Sequence, residues 1–101
     1  MELNLNKALV DLEGKEIKEA NMGKTLGNFL AGNKTELDAV KAWELAAVLH
    51  AGKTAQIDSS DLDKLEKSIE GSTVLTPLAQ AQLLLEIRKV KVKKDSEEGD
   101  K

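Results

Sequence analysis

An α+β fold is predicted for this chain: an N-terminal β-hairpin packed on a small bundle of three to four helices. Three observations predict it. Polar and apolar residues alternate only in about the first twenty positions, as half-buried strands require. From Thr25 onward the apolar residues recur at helical spacing. Capping and turn residues stand at the joints between these segments. With 101 residues and 41% hydrophobic content the chain suits one domain, placed at residues 1–94. After Asp95 nothing apolar remains, so residues 95–101 are expected to form a disordered acidic tail.

Residues 2–19 read as extended. Leu3 and Leu5 alternate with polar neighbours, as do Val10 and Leu12 ahead of Glu13-Gly14. Gly14 takes a positive φ without steric cost, so a Glu-Gly turn leading into Lys15-Glu16-Ile17-Lys18 closes the hairpin. Two strands alone are marginal, so the ribbon must lie on helices. Thr25 is placed as the cap of a short helix through Leu30, ended by Gly32-Asn33. A longer helix is expected to begin at Asn33 or Thr35, each with a carboxylate three residues on, and to stop at Gly52. Leu37, Val40, Trp43, Ala47, Val48 and Ala51 share one face of it; Ala42, Leu45, Ala46 and Leu49 share the other. A helix apolar on nearly every side predicts the central position in the fold.

Asp58 is the predicted cap of a helix over Ser59 to Glu70, with Ile57 and Leu62 at the spacing of a hydrophobic staple. Leu62, Leu65 and Ile69 form one narrow stripe, which fits a surface helix with one face inward. Thr76-Pro77 opens the last helix, because proline at the first helical position loses no hydrogen bond. From Val90 the pattern becomes Val-Lys-Val-Lys, which suits a strand as well as a helix.

The net charge of −3 conceals a segregation. Residues 1–87 hold nine lysines against fourteen carboxylates, residues 88–94 carry +5, and residues 95–101 carry −3. A basic strip between an acidic body and an acidic tail favours folding back over seeking nucleic acid. The absence of cysteine excludes disulfides, thiol nucleophiles and thiolate metal sites, and fits a reducing compartment. No apolar run approaches the ~20 residues that span a bilayer, and no signal peptide is visible, so a cytoplasmic protein is expected.

Two Gly-Lys-Thr triplets, at Gly23 and Gly52, resemble the end of a phosphate-binding loop. The full motif needs a glycine where Lys18 and Ala47 stand, so both triplets are read as helix punctuation. Asp58, Asp61 and Asp63 lack the ligand spacing of a calcium loop and fit a helix start instead. His50, the only histidine, stands near a helix C-terminus, where it interacts well with the last carbonyls. Phe29 and Trp43, the only aromatic residues, lie in helical apolar patterns and are expected in the core. No catalytic, cofactor or metal residues are assigned, and the chain is not expected to be an enzyme.

Asp11-Leu12-Glu13-Gly14-Lys15-Glu16-Ile17, then Lys24-Thr25-Leu26-Gly27, Trp43-Glu44-Leu45-Ala46 and Leu75-Thr76-Pro77-Leu78 occur in that order. Together they resemble a group of small, mostly uncharacterised proteins of tailed bacteriophages and prophages. That group typically opens with a Leu-x-Gly-x-x-Ile hairpin followed by Thr-Leu-Gly at a helix start. The resemblance implies a protein of the bacterial cytoplasm that acts by contacting another protein. The hairpin opening is also similar to that of tail-assembly chaperones, from which this chain departs in its short first segment.

The expected function is therefore non-enzymatic protein–protein interaction, in virion assembly or an accessory role. The alternative is a small inhibitor or regulator of a host enzyme or nucleic-acid-binding protein. A third reading, nucleic-acid binding through Arg88, Lys89, Lys91, Lys93 and Lys94, ranks below both, because stacking platforms are lacking. Candidate partner-binding residues are those five together with Lys15 and Ile17 on the hairpin edge, which is read as open to another strand. A homo-oligomer formed by pairing residues 90–93 is also admitted. No cofactor and no membrane contact are expected.

Overall fold

A computed structural model describes the backbone of residues 1–99 and the side chains of residues 1–92. The last helix carries the backbone on through residues 95–99 of the tail expected to be disordered, while residues 100–101 and the side chains from residue 93 onward, Lys93 and Lys94 among them, lie outside the described residues. The elements are β1 (Glu2–Leu3), β2 (Ala8–Val10), β3 (Glu16–Asn21), α1 (Met22–Gly32), α2 (Ala39–His50), β4 (Ala55–Gln56), α3 (Ser59–Glu70) and α4 (Pro77–Gly99). The architecture is α+β, a hairpin on four helices, with one hydrophobic core.

β2 and β3 form the hairpin. Its loop is a turn closed by the Gly14 amide on the Asp11 carbonyl, with Gly14 at φ +84°. A glycine in the left-handed region is what a three-residue hairpin loop requires after its first turn. Between the pairs Val10/Glu16 and Ala8/Asn21, β2 advances two residues while β3 advances five. The extra residues bulge out around Glu19, a non-glycine residue at φ +64°. The first strand does not belong to this hairpin. β1 pairs antiparallel with β4, Glu2 opposite Gln56 and Leu3 opposite Ala55, a contact between the two halves of the chain that alternation alone cannot reveal.

Helix starts divide into two kinds. α3 and α4 begin as predicted: the Asp58 carboxylate accepts the Asp61 amide at 2.7 Å, and the Thr76 hydroxyl accepts the Ala79 amide at 3.3 Å. The staple residues Ile57 and Leu62 are both buried. α1 instead starts four residues before its expected first residue, Leu26. Asn21 is its cap, accepting from the Lys24 amide, while the carbonyls of Lys7 and Leu5 accept the Met22 and Gly23 amides. The loop before the hairpin thus supplies acceptors that orphan helix donors need, and Thr25 is absorbed into the helix. α2 starts later than expected, with Asp38 as cap. Asn33 is spent on the end of α1, donating to the Phe29 carbonyl, and Thr35 accepts the Leu37 amide within the loop. The Glu36 amide donates to the Ser68 hydroxyl and Leu37 is buried, so this loop is tied down over α3.

The deepest core is built by Leu26 of α1, Leu62, Leu65 and Ile69 of α3, and Leu83 and Ile87 of α4, all fully buried. α1 packs on both α2 and α4, and α3 packs on α4. The inner positions therefore belong to α1 and α4, and α2, expected at the centre, lies on the flank. Two glutamines of α4 tie the layers together. Gln82 accepts the Val10 amide at 2.9 Å and donates to the Val10 carbonyl at 2.8 Å, covering the outer edge of β2. Gln80 donates to the Ile69 and Glu70 carbonyls at the end of α3. Both are single side chains that complete a backbone ladder, and no local pattern marks them.

Candidate interaction surface

The exposed surface of α2 follows from how closely α1 lies on it. The two helices run antiparallel, and α1 offers glycine at the contact. A Cβ on Gly23 would stand 2.4 Å from the Leu49 carbonyl oxygen, and one on Gly27 would stand 2.9 Å from that of Ala46. Gly23 thus permits close helix packing and is not punctuation, whereas Gly52, at φ +78° just past α2, is. Against these glycines α2 buries Ala42, Ala46 and Leu49. Leu45 and Val48 are half-buried and line a groove of about 420 Å³ beside Ala55 and Ile57. Among the described residues no element packs on the opposite arc.

Ala39, Val40, Trp43, Ala47, His50 and Ala51 are all exposed on that arc. Trp43 is 66% accessible and Val40 64%, whereas Phe29 is 7% accessible. The expectation of two core aromatics holds for Phe29 and fails for Trp43, because α1 covers only the small-residue side of α2. Trp43 separates two depressions. One, of about 380 Å³, has Gly27, Ala31, Ala47 and His50 among its walls; the other, of about 460 Å³, lies toward Gly32, Ala39 and Lys34.

The basic strip has a different environment. Arg88, Lys89 and Lys91 stand on helix α4, so the Val-Lys alternation is helical at residues 90–92 and supplies no strand for self-pairing. Arg88 lies 3.1 Å from Glu66 and 3.5 Å from Glu70, Lys89 lies 3.3 Å from Glu86, and Lys91 bridges Asp63 and Glu66. The hydrogen bond from Lys91, joined by that from Arg88, holds the Glu66 carboxyl below its usual range despite partial desolvation. Bonds to Asp63 and Glu66 raise Lys91 in return. Burial pushes Glu86 up, but the hydrogen bonds from Lys7 and Lys89 outweigh it and leave Glu86 low.

The three carboxylates near the start of α3 are likewise occupied, Asp58 as cap, Asp61 by Lys41 at 3.3 Å and Asp63 by Lys91. On the hairpin, Lys15 is exposed and lies 3.6 Å from Glu13, while Ile17 is half-buried against the core. The bulge at Glu19 interrupts the outer edge of β3 beside Lys15 and Ile17, a feature that hinders strand addition. Among the described residues no helix is long and apolar enough to cross a membrane. Comparison of the chain with protein-family models, curated proteins and solved structures finds no match.

Proposed function

We propose that this protein acts without catalysis, by binding another protein, as a phage or prophage component of virion assembly or an accessory process in the bacterial cytoplasm. One observation carries the binding reading: the chain's single tryptophan lies open on an uncharged helical arc. Tryptophan is enriched among the residues that dominate binding energy, since it offers a large, rigid apolar surface. Val40 and the exposed alanines lie beside it on the same arc, and grouped exposed apolar residues commonly mark an interaction site. The phage setting rests on the sequence resemblance. The ion pairs of Arg88, Lys89 and Lys91 support a packing role for the basic strip over phosphate contact.

The test is affinity capture from source-cell lysate with the wild-type chain and with Trp43→Ala, each with and without nuclease. Nuclease-resistant partners present with the wild type and lost with the variant support the reading. Partners that disappear with nuclease and ignore the substitution overturn it in favour of nucleic acid.

A further inference from the structure

We infer that the occupant of the Trp43 face is a second copy of this chain, packed about a two-fold axis so that each Trp43 enters a depression beside the other. This rests on the reading of that face as an interaction surface and commits it to one partner. Three features lead there. Knob and hole lie on the same surface: Trp43 projects between hollows of about 380 and 460 Å³, sizes that hold small ligands and therefore an indole. A two-fold interface needs this self-complementarity, because the same patch must supply both halves of each contact.

Charge is the second feature. The chain carries −3 overall, with fourteen carboxylates in residues 1–87, so a second copy is best received on a face that sets no carboxylates against one another. The arc from Ala39 to Ala51 through Trp43 bears no carboxylate; Glu44 lies at its margin, on the groove shared with Lys41 and Val48. Two copies meeting there set no arc carboxylate against another, and Lys34 lines only the larger of the two depressions.

Area is the third. The 12-residue α2 is about 18 Å long, and with α1 alongside at about 9 Å the face is roughly 20 Å wide. A corrugated footprint of that size supplies on the order of 500 Å² per copy, near the ~1,000 Å² total at which a specific interface begins. The dimer is accordingly weak and reversible.

Sedimentation of the full chain from about 1 µM to about 1 mM tests this, the span in which such a dimer forms. Emission of the single tryptophan is followed over the same range. The expected result is a monomer–dimer equilibrium whose dimer fraction rises together with a blue shift of Trp43. Trp43→Ala should weaken it by roughly 30-fold or more, the size of a hot-spot loss. Ala47→Glu, on an exposed alanine that leaves the fold intact, should do the same by placing a carboxylate in the arc. Leu12→Ser, at the exposed hairpin tip, should leave the equilibrium unchanged. A monomer throughout, or a dimer indifferent to both arc variants, overturns the inference. If the chain is monomeric and Trp43→Ala still abolishes capture of a different protein, the second-copy inference fails while the binding reading stands. If neither is seen, both fail.

Discussion

Helices α2 and α3 are each 12 residues long, and each buries three residues. They reach that equality from opposite compositions. α3 has a single stripe, Leu62, Leu65 and Ile69, with polar residues elsewhere, and buries all of it. α2 is apolar around most of its circumference yet buries only Ala42, Ala46 and Leu49. How much of a helix is covered depends on the neighbours available and not on its apolar content. α3 lies on α4, and its stripe matches that contact. α2 meets the glycine side of α1, so small residues fill the contact and the large Trp43 is left outside.

The contrast is sharpest in truncations. Leu65→Ala in α3 and Leu49→Ala in α2 should each cost about 2–5 kcal/mol, because both leave cavities in a packed core, and denaturant unfolding would show it. Next comes the α1–α2 contact itself. Gly23→Ala forces a methyl against the Leu49 carbonyl and should cost about 1–3 kcal/mol. Gly32→Ala, at the end of the same helix with open space around it, should be neutral or stabilising by up to about 1 kcal/mol. Equal effects at the two glycines would break the argument that close approach displaced Trp43.

A smaller effect separates the halves by pH. Glu66 is held below 4.5 by Lys91 and Arg88, so its contribution is full above pH 4.5 and fades as pH falls through its lower folded value. Glu66→Gln should lower the melting temperature at neutral pH by the equivalent of about 1 kcal/mol or less. That difference from wild type should vanish in acid. Lys91 is raised above 10.5, so the same link is present below pH 10.5 and is lost as alkali carries pH through the raised value. Smallest of all, Trp43→Ala should change monomer stability by about 0.5 kcal/mol or less, although it removes the largest side chain in the protein. A loss as large as that of Leu49→Ala would mean that Trp43 belongs to the core after all.

Legibility followed the same division. The Asp58 cap, the Ile57–Leu62 staple, the Thr76-Pro77 start and the Gly14 turn all act within five residues, so residue identity and spacing suffice to place them. At α1 the local Asn21 cap on the Lys24 amide competes with the Thr25 signal, and what favours the earlier start is two further donors satisfied by carbonyls of residues 5 and 7, which spacing within the helix does not show. The Gln82 clamp on Val10 spans 72 positions and carries no local signal. Trp43 was assigned to the core because an amphipathic face looks the same whether it meets the rest of the chain or another molecule.

By itself the amino-acid sequence determined the α+β class, the hairpin turn, the two C-terminal helix starts and the stripe of α3. Each depends on backbone preferences and hydrogen bonds between near neighbours. Tertiary structure alone decided that β1 joins β4, that α1 and α4 rather than α2 lie inside, and that Arg88 and Lys91 of α4 are held by carboxylates of α3. It also decided which apolar face of α2 stays open. These outcomes depend on which surfaces approach closely enough to exclude water, and two glycines on α1 settled that for α2.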